Sequence, residues 1–562
     1  MAGGLLNIQA IGNANVILTG TPTKTFFKVV YSKYTNFGLQ KFRIDYDGLR
    51  EFRLSEPSTF TFKIPRYADL LMDTYVCVTL PDIWSPLYHP SPETSYTWAP
   101  YHFRWIRNLG THMIREVVIT CGSLTIQRYS GQYLGALVER DFTEEKKKLF
   151  YEMTGNKVEL YDVENAFGRT NVYPSAFFTN PSVPAEPSIR SRKLYIPLNT
   201  WFSLDSRCAF PLIALQYNEL TISITLRPVQ ELFQVRDVYD VANKFPHVQP
   251  DFNLDRFQMY RFLQAPPSVD ISKPNYGNKI STWNADIHLL STYGFLSEEE
   301  RQKIAMEDQV YLVKDVFEYN FENVVGSKKL KLTSTGMVAN WMWFFQRNDV
   351  NMRNEWSNYS NWEYRKMPSD IIFAPQSITG GDFNYLLNDS GYTVLKGPSE
   401  HPNKTLLGVN TGYFITGEFN AVNIRDIMIS MGIVLNGDYR ENIQPDGVFN
   451  YVEKYVRTAG NAPPGLYCYN FCLNTSPFEY QPSGAINMSK FKTVELEITT
   501  IVPIVDPVNS MFNVICDNNN NPIGIIKQNW RLYDYTYNMT LFEERYNILS
   551  FIGGNCGMLY AR

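Results

Sequence analysis

The segment Phe210-Pro-Leu-Ile-Ala-Leu-Gln-Tyr-Asn-Glu-Leu-Thr-Ile-Ser-Ile-Thr-Leu226 limits what this chain can fold into more than any other. In its second half Leu220, Ile222, Ile224 and Leu226 alternate with Glu219, Thr221, Ser223 and Thr225. Successive side chains of an extended strand point to opposite faces. A strict period of two therefore describes a strand with one face in a core and the other in water. Pro211 opens the segment, where a missing backbone N–H costs least at the margin of a sheet. The four aliphatic residues are expected in a core, with no catalytic part to play.

The same pattern recurs along the chain. Phe60, Phe62 and Ile64 alternate with polar neighbours, as do Val494, Leu496 and Ile498, and the longest stripe is Ile427, Ile429, Met431, Ile433 and Leu435. Val117–Ile119 and Thr74–Leu80 are nearly all apolar, as expected for strands in the middle of a sandwich. With 33 Gly and 32 Pro as punctuation, the fold class is all-β sandwich. At 562 residues the chain exceeds one ordinary domain.

Helical spacing occurs twice. One helix is expected from Ser130 to about Met153, with Tyr133, Leu134 and Leu137 on one face. The other is Ser297–Met306, where Ser297 and Glu300 have capping-box spacing and Glu298 and Glu299 suit the helix N-terminus. This polar helix lies near the midpoint between two β-rich halves and is the expected interdomain linker, residues 297–307. No sequence repeat relates the halves. Pro81–Tyr101, Gly155–Arg192 and Arg347–Asn420 carry no clear period, and loops of that length tend to make contacts.

Composition narrows function. Charged residues are 19% of the chain and aromatics 15%, with 37 Tyr and 36 Phe, which favours strands and buried interfaces. The net charge is −4 with no long basic run, so no direct binding of nucleic acid is expected. Lys146-Lys147-Lys148 after Glu144-Glu145 is read as a solvated helix face. Seven cysteines without CxxC spacing suggest free thiols in a reducing compartment. No apolar run approaches the roughly 18 residues that span a bilayer, and Met1-Ala-Gly-Gly-Leu-Leu-Asn lacks a basic signal-peptide start. A soluble cytosolic product is expected.

Catalytic motifs are missing: there is no P-loop, no G-x-S-x-G, no H-E-x-x-H and no kinase signature. His102 and His112 have no zinc-site spacing. Cys468 and Cys472 are expected as small core residues, and Gly553-Gly-Asn-Cys-Gly557 as a backbone turn. No enzyme activity, metal or cofactor is expected. Asn-x-Ser/Thr sequons stand at Asn358, Asn388, Asn403, Asn474, Asn487 and Asn538; chance explains them in an Asn-rich chain, with glycosylation as the other reading.

Beyond the opening segment, four blocks carry a resemblance. They are Met1-Ala-Gly-Gly-Leu-Leu6 with Leu18–Phe37; Phe295-Leu-Ser-Glu-Glu-Glu-Arg301; Leu435-Asn-Gly437 with Gly465–Leu473 and Gln481-Pro-Ser-Gly484; and Tyr546–Phe551 with Gly557–Ala561. In this order they resemble the major capsid proteins of nucleocytoplasmic large DNA viruses. That resemblance implies a double jelly roll: two tandem eight-stranded sandwiches, 26–296 and 308–562, behind an N-terminal arm, 1–25. It implies a homotrimeric, pseudo-hexagonal capsomer tiling an icosahedral shell, made in the host cytoplasm and located in the virion. Implied partners are neighbouring capsomers, minor capsid and penton proteins, and an inner membrane. Leu5, Leu6, Ile8 and Ile11 of the arm would meet the membrane or minor proteins. Pro228–Trp283 and Arg347–Asn420 look expanded, and the second is expected on the shell exterior. Phe478-Glu-Tyr480 departs from the basic residue often found there. A minor capsid paralogue, or a carbohydrate-binding jelly roll, are the other readings.

Overall fold

A computed structural model of the chain describes residues 12–48, 51–87, 101–169, 172–176, 185–240, 246–266, 276–365, 425–503, 513–516, 522–526, 532 and 534–560. In the first half, eight principal strands are β1 (Phe37–Ile44), β2 (Ser58–Lys63), β3 (Leu70–Leu80), β4 (Ile114–Cys121), β5 (Leu124–Tyr129), β6 (Arg192–Pro197), β7 (Leu220–Leu226) and β8 (His288–Leu296). They build two antiparallel sheets ordered β1-β8-β3-β6 and β2-β7-β4-β5. In the second half, β9 (Gln309–Phe321), β10 (Ser327–Leu332), β11 (Met337–Arg347), β12 (Met428–Leu435), β13 (Asp438–Pro445), β14 (Leu466–Asn470), β15 (Val494–Thr500) and β16 (Tyr537–Ile552) follow. Their sheets are ordered β9-β16-β11-β14 and β10-β15-β12-β13. Each second-half order is the first-half order with eight added to every strand number. The chain is thus a double jelly roll, and the repeat invisible in the residues is present in the topology.

Strand β7 behaves as its alternation requires. Leu220, Ile222, Ile224 and Leu226 are buried. Burying such side chains is worth about 1.5–3 kcal/mol each. On the other face, Thr225 and Ser223 meet Thr59 and Thr61 of β2 through hydroxyl hydrogen bonds of 3.1 and 3.3 Å. β8 closes the sandwich after the long excursion that follows Pro228.

Four expectations change. The helix over 130–153 is two helices, α1 (Gly131–Asp141) and α2 (Glu144–Thr154), because Phe142 and Thr143 are extended. Phe142 turns inward instead, against Val138 and Phe150. Ser297 does sit at the N-terminus of α3 (Glu298–Met306), but its side chain makes no cap bond, so the capping box is not formed. The register of β12 on β15 shifts between Met428 and Ser430. That irregularity turns Met428 inward and leaves Ile429 46% exposed, out of the expected stripe. Lys147 is buried, not solvated; it bonds Asn461 and lies 3.4 Å from Glu139. The region after Pro228 holds a small antiparallel sheet: Phe233–Arg236 pairs with Arg104–Trp105 and with His247–Val248. Arg347–Asn420 lies mostly outside the described residues.

The two sandwiches share a core. One cluster runs from Phe60, Ile222 and Leu134 through to Met342, Phe344, Phe542 and Phe551 of the second half. A second lies between the two second-half sheets, around Trp341, Trp343, Met431, Ile433 and Leu496. The β9-β16-β11-β14 sheet is therefore buried on both faces.

Candidate assembly surfaces

Arg140 is wholly buried between the halves. Its guanidinium donates to Asp141 at 2.6 Å, to Glu544 at 2.9 Å and to Asn340 at 2.6 Å, while Tyr133 donates to Glu544 at 2.9 Å. Burial works against the Glu544 carboxylate, but Arg140, Lys314 and the hydrogen bonds from Asn340 and Tyr133 together outweigh it and hold Glu544 below its ordinary pKa. Burial raises Asp141 and Tyr133. Paired and hydrogen-bonded groups of this kind link side chains of the two halves, and removing one partner would leave an uncompensated buried charge. Further bonds cross the same boundary: His112 Nε2 to Ser357 at 2.8 Å, Trp356 Nε1 to the Glu231 carbonyl at 3.0 Å, and Tyr364 Oη to the His247 carbonyl at 3.0 Å. The two jelly rolls thus act as one block.

Two surfaces of that block are apolar and uncovered. The first is the N-terminal segment. From residue 12 the chain forms one helical turn, Val16–Thr19, and then runs irregularly to β1. Val16, Ile17, Leu18, Phe26, Val29, Val30, Tyr31 and Tyr34 are all largely exposed, and Phe27 is 100% exposed. The sheet begins only at Phe37, so this apolar stretch continues well past Thr25. Leu5, Leu6, Ile8 and Ile11 lie outside the described residues. The second surface joins edge strand β13 to the helical stretch Val448–Arg457. It presents Tyr439, Ile443, Tyr451, Val452, Tyr455 and Val456 to solvent. Contiguous apolar patches of this kind mark contact sites. The sequence reading placed a contact-making arm only over 1–25 and did not single out the second surface, although Tyr451, Val452, Tyr455 and Val456 carry the i, i+4 spacing of a helix face.

The sequons separate by burial. Asn358 is buried and its Nδ2 donates to the Trp362 carbonyl at 2.8 Å, so the folded chain withholds it from a glycan. Asn474 and Asn538 are half-buried, Asn487 is exposed, and Asn388 and Asn403 lie outside the described residues. His102 and His112 are buried; His102 stacks on Tyr173 with ring centroids 4.4 Å apart. Among the described residues no three His, Cys, Asp or Glu side chains are grouped to hold a metal, and no helix is long and apolar enough to cross a membrane.

Comparison with known proteins follows the same division into halves. Residues 25–263 match the family described as "Major capsid protein N-terminus", and residues 300–557 match "Large eukaryotic DNA virus major capsid protein". The major capsid protein of Phaeocystis pouchetii virus is 24% identical over 595 aligned positions, covering 100% of both chains. That of Paramecium bursaria Chlorella virus 1 is 23% identical, again across 100% of both. Among solved structures, the PBCV-1 capsid subunit aligns with a TM-score of 0.56 at 18% identity, over 96% of this chain and 100% of the other. The Faustovirus major capsid protein aligns with a TM-score of 0.56 at 12% identity, over 98% of each. With both halves matched in order and the double jelly roll in place, the chain belongs to the family of major capsid proteins of large eukaryotic DNA viruses.

Proposed function

We propose that this chain is the main structural subunit of the icosahedral shell of a large double-stranded DNA virus. It works as a homotrimer whose six sandwiches form a pseudo-hexagonal capsomer. The observation that carries this reading is the fusion of two jelly rolls of identical strand order into one block, which supplies the pseudo-sixfold symmetry from three copies. The units are an arm over 1–25, jelly rolls over 26–296 and 308–562, and a helical joint over 297–307. The role is structural: assembly in the host cytoplasm, burial of apolar surface against neighbouring capsomers, and contacts to minor capsid and penton proteins. The arm, with Leu5, Leu6, Ile8 and Ile11, meets an inner membrane or minor proteins. Support for that role comes from the uncovered apolar residues that follow it, Val16 to Tyr34. A closed threefold contact is heterologous, so the β13 patch meets a different patch on its neighbour. Asn487 is the described sequon open to a glycan, which intact mass reads directly.

Light scattering on the purified chain tests this. The expected mass is about three times the 65.0 kDa of one chain, with a hexagonal outline by electron microscopy. A stable monomer at micromolar concentration overturns it.

A further inference from the structure

The last turn of the chain brings a cysteine of the second jelly roll against a cysteine of the first. Gly553 and Gly554 have φ of 57° and 81°, the conformation a two-residue hairpin demands and glycine adopts without steric cost. The chain returns as β17 (Asn555–Met558), antiparallel to the end of β16, with Cys556 opposite Phe551. This hairpin sits on the loop before β7. The backbone N–H groups of Gln216 and Tyr217 donate to the Gly554 carbonyl at 2.9 and 3.4 Å, and Asn218 Nδ2 donates to Asn555 Oδ1 at 3.3 Å. The same loop flanks the end of β4: Cys121 lies opposite Leu220, and the Gly122 N–H donates to the Glu219 carbonyl at 3.0 Å. The two segments converge and bring Cys121 and Cys556 next to each other, Cys556 packing on the core cluster that contains Cys121.

Cys121 is buried, while Cys556 is partly exposed and packs against the shared core. The neighbouring Cys556 lowers the pKa of Cys121, while the same contact, with burial, raises that of Cys556. Burial instead raises Cys77, Cys208 and Cys468, each to about 11. The pair is thus set apart from inert core thiols by its geometry, with Cys121 as the member that holds thiolate character.

We propose that Cys121 and Cys556 form a reversible disulfide that staples the C-terminal hairpin to the first jelly roll once the chain meets an oxidising medium. The oxidant is a small-molecule disulfide of the glutathione class. The partly exposed Cys556 hands its proton to the Cys121 thiolate as its own sulfur attacks one of the disulfide sulfurs, breaking that S–S bond and expelling one thiolate, which then takes the proton from Cys121. The Cys121 thiolate then attacks Cys556 Sγ and expels the second thiol. Two protein thiols lose their protons to the two departing thiolates; the protein is oxidised and the small disulfide reduced. The staple closes a loop that spans most of the chain, and it is internal to one subunit, so it does not depend on the shell reading.

The test is to incubate the full-length reduced chain with glutathione disulfide, alkylate it and map peptides without reduction. The expected result is one linked peptide pair carrying Cys121 and Cys556, with a mass lower by about 2 Da and full reversal by a dithiol. Cys121→Ser should leave glutathione stranded on Cys556, with no intrachain link. The proposal is overturned if both cysteines remain open to alkylation, if wild type also stops at the glutathione adduct, or if Cys121→Ser still cross-links Cys556 in equal yield.

Discussion

β3 and β11 hold the same place in the two jelly rolls, third in chain order and next to the closing strand in their sheets, yet their sequences differ. β3 mixes buried and half-buried residues along its length. In β11 every residue after Met337 is buried. The cause is the neighbour on the far face. β11 sends Trp341, Trp343 and Phe345 into its own sandwich, and Met342 and Phe344 into the core shared with the first half. A register shift between Val338 and Asn340 puts Asn340 on that shared side, where it accepts from Arg140. One topology therefore tolerates two hydrophobic patterns, and the pattern reports what covers a sheet, not where a strand sits in it.

The sharpest way to break the comparison is to remove what joins the halves. Arg140→Ala leaves Asp141 buried without its cation and Glu544 with only Lys314 at 3.9 Å, and a loss of about 3–5 kcal/mol is expected in denaturant unfolding. A loss below about 1 kcal/mol would mean the halves do not depend on this network. Equivalent strands should respond alike: Ile222→Ala in β7 and Leu496→Ala in β15 are each expected to cost about 2–5 kcal/mol. Markedly unequal midpoints would show that shared topology does not confer shared packing.

Acid should weaken the block through buried histidines of the first half. Burial, aided by Arg104 and Arg236, lowers His102 and His247, and burial with Arg227 lowers His112 to about 3. The unfolded chain takes up these protons near pH 6.5 while the folded chain does not. Stability is therefore complete above about pH 6.5 and falls progressively toward about pH 3. His112→Gln should flatten part of that slope, and a midpoint unchanged between neutral pH and about pH 5 would contradict the assignment. The smallest effect is expected at the joint. Ser297→Ala should change stability by less than about 0.5 kcal/mol, since its hydroxyl caps nothing. A loss of about 1 kcal/mol would instead restore the capping box.

Local chemistry made much of this legible. The β7 and β15 alternations named their own core residues, and the Gly553-Gly554 turn was marked by the residue type its backbone needs. Ser130 was a visible helix start, and it does accept from the Tyr133 N–H. Less visible was Thr143, which stops α1 from continuing into α2, because Phe142 leaves the helix to fill a small cluster with Phe150. The β12 irregularity also overrode a clean stripe, since an extra residue changes which face follows without changing composition.

The sequence alone determined an all-β chain of two halves with a short polar helix between them, because strand faces and helix caps are written within a few residues of each other. Tertiary structure alone decided that the halves repeat one topology, that Arg140 meets Glu544 from 404 residues away, and that Cys121 meets Cys556. Those facts depend on which surfaces come together after each strand has formed. No local period encodes that choice; shape and burial across the whole molecule do.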